Sequence, residues 1–231
     1  MTESDHRLGR TLEHVDPNWG RVLERLCFLY PPVIGVGAIS VVQDLDPGVP
    51  GLQWTLVLVA SFGYTLVTLG VVIALSLDAR KLASRGHWEP NRVLYLLGAL
   101  VFAPLAGVVY LARRHNRLGT PPGWAQWWLV VAVTAVTGIA GLVAVAVALL
   151  LQFPGLLVSA AGIAVTIAVG LFPVAIHQDA AYVSSRDGYW QPNPGTWLGV
   201  AFASLFVPIL QPFVAGYYVL RRWRTYGLTL G

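Results

Sequence analysis

Six long runs of apolar residues alternate with short polar segments along the chain. The runs cover residues 26–42, 53–77, 93–112, 124–151, 156–177 and 197–220, and none contains an aspartate, glutamate, lysine or arginine. Most of them reach the ~20 residues that a helix needs to cross the ~30 Å hydrocarbon core of a bilayer. The pattern predicts an all-α integral membrane protein with about six hydrophobic segments.

The composition supports this class. Of the 231 residues, 56% are hydrophobic and only 11% are charged, whereas soluble domains carry roughly 25% charged residues. The net charge of +4 is what basic cytoplasmic loops give to a membrane protein, so no nucleic-acid partner is needed to explain it. The single cysteine, Cys27, excludes a disulfide within the chain.

The first 25 residues are polar and mixed in charge, so they lack the apolar region that follows the basic start of a cleavable secretory signal. Asp16-Pro17 has the residue types of a helix start, with aspartate as N-cap and proline at the first helical position. The next turns place apolar side chains on one face and Arg21, Glu24 and Arg25 on the other. We expect either an interfacial helix or the water-exposed first turn of the first span.

Two parts of the chain share an ordered series of identical residues. Each begins with Asp-Ala, continues with Trp-x-Pro-Asn before an apolar run, and ends with Tyr-x-x-Arg-Arg. The members are Asp78, Trp88, Pro90, Asn91, Tyr110, Arg113 and Arg114 in one part and Asp179, Trp190, Pro192, Asn193, Tyr218, Arg221 and Arg222 in the other. So many identities in one order predict two copies of a three-segment unit. The chain then divides into a polar N-terminal segment (1–25), membrane repeat 1 (26–123) and membrane repeat 2 (124–231), and the two repeats form one compact membrane domain.

The residue types of Trp-x-Pro-Asn suit the point where a chain enters a membrane. Proline keeps the preceding residue out of the helical region, and asparagine at 91 and 193 can cap the helix that follows. Tryptophan prefers the headgroup level of a bilayer. We therefore interpret Trp-x-Pro-Asn as a membrane-interface motif, with a role in ligand contact as the alternative.

The Asp-Ala…Trp-x-Pro-Asn loop, the apolar run and the Tyr-x-x-Arg-Arg ending resemble uncharacterised small multi-pass membrane proteins of the haloarchaeal type. The arginine-rich usage, with Lys81 as the only lysine, and the sequence RRHNRLGTP at 113–121 are similar as well. The resemblance covers roughly residues 78–121 and 179–227. It implies a multi-pass archaeal membrane protein and transfers no catalytic residues.

Two topologies fit the apolar runs. If all six runs span the membrane, 11 of the 15 lysine and arginine residues lie on the side of the two termini and 4 lie opposite. The positive-inside rule then places both termini in the cytoplasm of a protein of the cell membrane. In the alternative, residues 93–112 and 197–220 are re-entrant hairpins that turn at Pro104 and at Pro208–Pro212, which leaves four spans and places all 15 basic residues on one side. Six spans are favoured, because a turn within the hydrocarbon needs its backbone covered by protein.

The apolar runs carry no acidic or basic residue of the kind that proton-coupled carriers and retinal proteins place at membrane depth. His177-x-Asp179 and His87-x-Glu89 each bring two possible metal ligands close together in sequence. Neither has the three- or four-ligand pattern of a zinc site. No metal, no cofactor and no catalytic residue is therefore predicted.

Prolines interrupt the third and sixth runs at corresponding places, and in repeat-built transporters such interruptions point to the substrate site. This favours a small transporter or channel for a neutral or weakly polar solute. The substrate-path candidates are Pro104, Pro208, Gln211, Pro212, Tyr64 and Thr68.

Two other functions fit the same sequence. One is a membrane scaffold, acting as a homo-oligomer or with a membrane partner, or a protein that binds anionic lipids through headgroup candidates. These candidates are Arg113, Arg114, Arg221 and Arg222. The other is a lipid-modifying enzyme that uses Asp78, His87, Glu89 and Asp179 as acid–base groups. The enzyme requires the hairpin topology, because six spans would put the two aspartates on opposite sides of the membrane.

Overall fold

The computed structural model describes residues 18–45, 51–84, 86, 88–119, 125–207 and 209–227. These residues form eight helices, which confirms the all-α class. The helices are α1 (Trp19–Cys27), α2 (Tyr30–Leu45), α3 (Leu52–Ser84), α4 (Arg92–Leu118), α5 (Trp127–Leu151), α6 (Pro154–Ser184), α7 (Pro194–Phe206) and α8 (Leu210–Tyr226).

Four helical stretches of the described part are long and apolar enough to cross a membrane. They are Trp19–Ser40, which joins α1 to most of α2, then Leu52–Ser84, Arg92–Leu118 and Trp127–Leu151. Large apolar side chains also cover the outside of the protein: Trp54, Phe62, Val101 and Leu150 are each more than two-thirds exposed. Such a surface is stable in lipid rather than in water. The chain is thus built as a multi-pass membrane protein.

The N-terminal helix begins slightly later than the sequence predicts. Asp16 and Pro17 lie outside the described residues, and the helix starts after Asn18, whose side-chain oxygen accepts a hydrogen bond from the Arg21 amide at 3.2 Å. Two later helices are capped in the predicted way: Asn91 accepts from the Leu94 amide at 3.1 Å, and Asn193 accepts from the Thr196 amide at 3.0 Å. Each cap satisfies a main-chain donor that the first turn of a helix leaves unpaired.

Helix α4 folds back on itself near its middle. Phe102 leaves the helical region (φ −153°, ψ 85°), two residues before Pro104, which cannot donate a main-chain hydrogen bond. In a straight helix Tyr95 and Tyr110 would be about 22 Å apart. Instead their rings meet edge to face at 5.1 Å, and Arg113 Nη1 donates to the Tyr95 hydroxyl at 3.1 Å. The two arms of α4 are therefore antiparallel, so α4 is long and apolar enough to cross a membrane but does not run straight through one.

Helices α7 and α8 form a second hairpin. Val207 leaves the helical region (φ −132°, ψ 83°) at the end of α7, and Pro208 lies outside the described residues. The Trp197 ring meets the Tyr218 ring at 4.8 Å, so α8 returns along α7. The third and sixth apolar runs thus have the shape of the re-entrant alternative and not of straight spans. Hydrophobic length alone does not separate these two shapes.

Both Trp-x-Pro-Asn motifs lie at one end of the helices. The Trp88 ring packs on Tyr110 at 5.4 Å. From the second motif, Asn193 Nδ2 donates to the Ala112 carbonyl at 2.8 Å and to Asn116 Oδ1 at 2.6 Å. Since both motifs contact the second arm of α4, that arm must return to the end from which the first arm started.

The two hairpins approach each other closely where α7 crosses the second arm of α4. A Cβ atom at Gly195 would overlap the Ala112 backbone nitrogen and would lie only 2.6 Å from Ala112 Cα. Backbone atoms cannot move aside as the end of a flexible side chain can. Glycine is therefore required at this crossing for steric reasons.

We predict that Gly195→Ala lowers the free energy of unfolding in detergent by about 1–3 kcal/mol, the usual cost of overpacking. The matched control is Gly216→Ala in α8, where an added Cβ meets nothing within 4 Å. It should have no effect or stabilise the helix by up to ~1 kcal/mol. Denaturation followed by far-UV circular dichroism measures both. Equal effects of the two substitutions would contradict the close helix crossing.

Candidate functional site

Asp78, near the end of α3, is buried and is hydrogen-bonded to two side chains of the second arm of α4. It is 2% exposed, and its Oδ2 accepts hydrogen bonds from the Tyr110 hydroxyl at 2.9 Å and from Arg114 Nε at 2.9 Å. A buried carboxylate is tolerated when it is both paired and hydrogen-bonded. These contacts fix the end of a long helix to the returning arm of the first hairpin.

Asp179, near the end of α6, makes the same set of contacts with α8. It is fully buried, and its Oδ2 accepts from the Tyr218 hydroxyl at 2.8 Å and lies 2.9 Å from Arg222 Nε. Arg222 also donates to two carbonyl oxygens, those of Gly227 and Ala125. We call the two Asp–Tyr–Arg groups triad 1 (Asp78, Tyr110, Arg114) and triad 2 (Asp179, Tyr218, Arg222).

The motif tryptophans complete both triads. Trp88 lies 5.4 Å from Tyr110 and Trp190 lies 5.4 Å from Tyr218, so each ring packs on the tyrosine of its own triad. The predicted interface motif therefore makes packing and capping contacts within the protein; its residues are Trp88, Pro90, Asn91, Trp190, Pro192 and Asn193. The position of the motif at a membrane surface stays a prediction. Pro90 and Pro192 are buried, and Asn91 and Asn193 act as caps.

The four arginines proposed to bind lipid headgroups fall into two kinds. Arg114 and Arg222 turn inward to the aspartates, with side chains 16% and 3% exposed. Arg113 and Arg221 are exposed and lie over aromatic rings, Arg113 above Tyr95 and Arg221 above Trp190. A headgroup role therefore stays a prediction for Arg113 and Arg221, since the other two arginines are used inside the protein.

Three possible metal ligands meet between the two triads. They are Glu24 of α1, His115 of α4 and His177 of α6, and one ligand atom of each lies within 4.8 Å of the others. His115 directly follows Arg114 of triad 1, and His177 comes two residues before Asp179 of triad 2. The sequence did not show this cluster (hereafter the Glu–His–His cluster), because its members are far apart along the chain.

Glu24 shares the polar face of α1 with Arg21 and Arg25, but its surroundings differ from theirs. The arginines are exposed, but Glu24 Oε1 lies 3.3 Å from His177 Nδ1 and accepts from Gln178 Nε2 at 3.3 Å. The reason is that α6 packs against this end of the protein and supplies polar partners for the carboxylate. His177 and Asp179, noted in the sequence as two possible ligands, do not meet at one site, since Asp179 belongs to triad 2. His87 lies outside the described residues, and Glu89 is exposed.

A cavity of about 220 Å³ lies between the turns of the two hairpins. Its lining consists of apolar side chains and a glycine from α2, from the break of α4 and the arm that follows it, and from α7: Ile34, Phe102, Pro104, Leu105, Val108, Gly199, Phe202, Ala203, Leu205 and Phe206. Of the substrate-path candidates, this described lining includes Pro104.

The remaining substrate-path candidates lie elsewhere. Gln211 and Pro212 are buried, and Gln211 Nε2 donates to the Thr134 carbonyl at 3.2 Å. Thr68 Oγ1 and the Tyr30 hydroxyl are 3.1 Å apart, and Tyr64 packs on Tyr30 with ring centres 5.5 Å apart. Pro208 is outside the described residues. These side chains are spread over two places, so the structure does not bring them together at one site.

Triad 2 predicts that two neighbouring arginines contribute very differently to the free energy of unfolding. Arg222→Met should lower the free energy of unfolding by about 3–5 kcal/mol, because it leaves Asp179 as an unpaired buried charge. Arg221→Met should cost about 1 kcal/mol or less, since the Arg221 side chain is exposed and its cation–π contact with Trp190 is of the kind worth about 0.5–1 kcal/mol. Adding Asp179→Asn to Arg222→Met should restore part of the loss. Equal destabilisation by both arginine substitutions, measured by denaturation in detergent, would rule out triad 2 as a stabilising group.

Comparison of the chain with protein-family models, with curated proteins and with solved structures gives no match in any of the three. Three features of the structure carry chemical information about function: the two triads, the Glu–His–His cluster between them, and the apolar cavity at the hairpin turns.

Proposed function

We propose that this is a four-span membrane protein made of two related halves, and that the cavity between its two hairpins binds an acyl chain of a membrane lipid. The observation that carries the proposal is the cavity itself: both hairpin turns contribute to it, and its described lining consists of apolar side chains and glycine. Only an apolar group can enter such a site without losing hydrogen bonds to water.

Two related halves are supported by the matching contacts around the aspartates. Identical residue types, in the same order along the chain, make matching contacts: each aspartate Oδ2 accepts from a tyrosine hydroxyl and lies 2.9 Å from an arginine Nε. Each Tyr-x-x-Arg-Arg helix also ends five residues after its second arginine, at Gly119 and Gly227, and both glycines have a positive φ. Each half then contributes two spans, α2 with α3 and α5 with the 31-residue α6, and one hairpin, α4 in the first half and α7 with α8 in the second.

The depth of the cavity supports a lipid as the ligand. Around it, Val101 and Phe206 expose most of their side chains, which is expected of hairpin turns that lie among acyl chains. Pro104 is ten residues before Arg114 of triad 1, about 15 Å along a helix, or half of a ~30 Å hydrocarbon core. Four spans also place all 15 lysine and arginine residues on one side, which the positive-inside rule makes the cytoplasm.

The size of the cavity suggests that it holds part of a ligand. At about 220 Å³ it is smaller than the roughly 300–1,000 Å³ of sites that enclose a whole small molecule. One segment of an acyl chain fits this description, with the rest of the lipid in the bilayer. Arg113 and Arg221, exposed at the motif end, are placed to attract anionic headgroups on the same side of the membrane.

Solute transport and lipid modification are less well supported by these contacts. A path for a polar solute needs polar atoms at the hairpin turns, but the described cavity lining offers apolar side chains. Gln211 is not part of that lining; its amide nitrogen is bonded to Thr134, and its amide oxygen is buried without a hydrogen-bond partner among the described residues. An enzyme that uses Asp78 and Asp179 needs free carboxylates, whereas both are bound to a tyrosine and an arginine. The two aspartates do lie at one end of the protein, as that hypothesis requires.

The test fills the cavity by Ala203→Phe. Ala203 lines the cavity and is exposed, so the larger ring fits without displacing core residues. The protein is placed in vesicles with a phospholipid that carries a diazirine in its acyl chain, and cross-linked peptides are quantified by mass spectrometry. Labelling of peptides from α4 and α7 should fall by roughly tenfold or more, as expected when an apolar site loses room for a methylene group.

The control is Ala140→Phe, another exposed alanine on a membrane helix, in α5. It should leave labelling at α4 and α7 unchanged, and labelling of α5 provides the internal reference for general lipid contact. If Ala203→Phe and Ala140→Phe give the same labelling at the hairpins, the cavity does not bind lipid.

A further inference from the structure

We propose that Glu24, His115 and His177 bind a divalent transition-metal ion, with Zn²⁺ as the best-fitting class. The proposal is independent of lipid binding, because the Glu–His–His cluster lies at the motif end and the cavity lies at the hairpin turns. The three ligands come from three separate helices, so an ion at this place would join α1, α4 and α6.

The geometry needs only small side-chain movements to accept an ion. Zinc bonds of about 2.0–2.2 Å to nitrogen and oxygen place the ligand atoms of a tetrahedral site roughly 3.5 Å apart. Here Glu24 Oε1 and His177 Nδ1 are 3.3 Å apart, and all three ligand atoms are within 4.8 Å of one another. A rotation that brings His115 closer would complete a three-ligand site.

His177 supplies the second, independent observation. Its side chain is fully buried, and among the described residues neither ring nitrogen has a hydrogen-bond partner; the 3.3 Å approach to Glu24 is not aligned as a hydrogen bond. Folded proteins leave few buried polar atoms unpaired, since each costs about 1–3 kcal/mol. A coordinated ion would use the nitrogen lone pair that faces Glu24.

The donor set indicates which ions fit. Two imidazoles and one carboxylate, with room for a further ligand, are the set of catalytic zinc sites and of non-haem iron sites. Calcium and magnesium prefer oxygen ligands throughout. Gln178 donates to Glu24 Oε1 at 3.3 Å, and such an outer contact orients a ligating carboxylate.

Nearby positive charge does not prevent binding. Arg114, Arg21 and Arg25 all act on Glu24 electrostatically. Arg114, however, is already paired with Asp78 at 2.9 Å, and the other two are exposed, where salt and water screen them. The negative charge of Glu24 therefore remains available to a cation.

The experiment uses the full chain in detergent, purified without a histidine tag and stripped of metal. Because His6 and His14 lie in the N-terminal segment, they are replaced by alanine to remove background binding. This protein should bind one Zn²⁺ per chain by titration calorimetry and mass spectrometry of the bound metal. Co²⁺ should give the visible absorption bands of a site with nitrogen and oxygen ligands.

Three substitutions and one control locate the site. Glu24→Gln and His115→Gln should each abolish stoichiometric binding, and Gln178→Leu should weaken it by roughly 10–100-fold. Glu89→Gln, which changes an exposed carboxylate at the same end, should bind as the parent does. The absence of bound Zn²⁺ and Co²⁺ in the parent protein would overturn the proposal whether or not the variants fold. Unchanged binding in Glu24→Gln and His115→Gln would overturn it as well.

Discussion

The structure depends on two buried carboxylates that need partners. Asp78 and Asp179 sit at the ends of long apolar helices, where an unpaired charge would cost several kcal/mol. Their partners, a tyrosine and an arginine each, lie on helical arms that have turned back within the protein. The folded-back arms and the buried aspartates are therefore mutually dependent: neither would be stable without the other.

This dependence explains how a polar layer and an apolar cavity arise in one small fold. A backbone that turns within hydrocarbon must be covered by protein, and the two turns cover each other around Phe102 and Phe206. The returning arms then carry Tyr110, Tyr218 and their arginines back to the motif end. The same return places His115 near His177 and Glu24, so the possible metal site is a consequence of the hairpins.

The sequence predicts the helical class, the asparagine caps at 91 and 193 and the recurrence of Asp, Tyr and Arg-Arg in two parts of the chain, because these depend on hydropathy and on local order. It does not predict that these residues form the triads, since it presents Arg114 and Arg222 as candidates for lipid headgroups, whereas both pair with aspartates. It does not predict that α4 folds back, since a hairpin and a straight span have the same apolar length, and the contact of Tyr95 with Arg113 is visible only in three dimensions. The sequence does indicate that one arginine of each pair faces inward. Neighbouring residues in a helix point about 100° apart, so only one arginine of each pair could face the core. The contact of Glu24 with α6 is not predicted either, because it joins residues about 150 positions apart along the chain.

Cysteine accessibility tests most directly whether the hairpins return to the side on which they start. The background carries Cys27→Ser, and single cysteines are placed at Asn116, at Asp187 and, as the reference at the opposite end of α3, at Gln53. Each variant is treated with a membrane-impermeant thiol reagent, both in sealed cells and in opened membranes. The hairpin structure predicts that Asn116→Cys and Asp187→Cys react from one side and Gln53→Cys reacts from the other, whichever way the protein is inserted. Reaction of all three from the same side would mean six straight spans and would contradict the account.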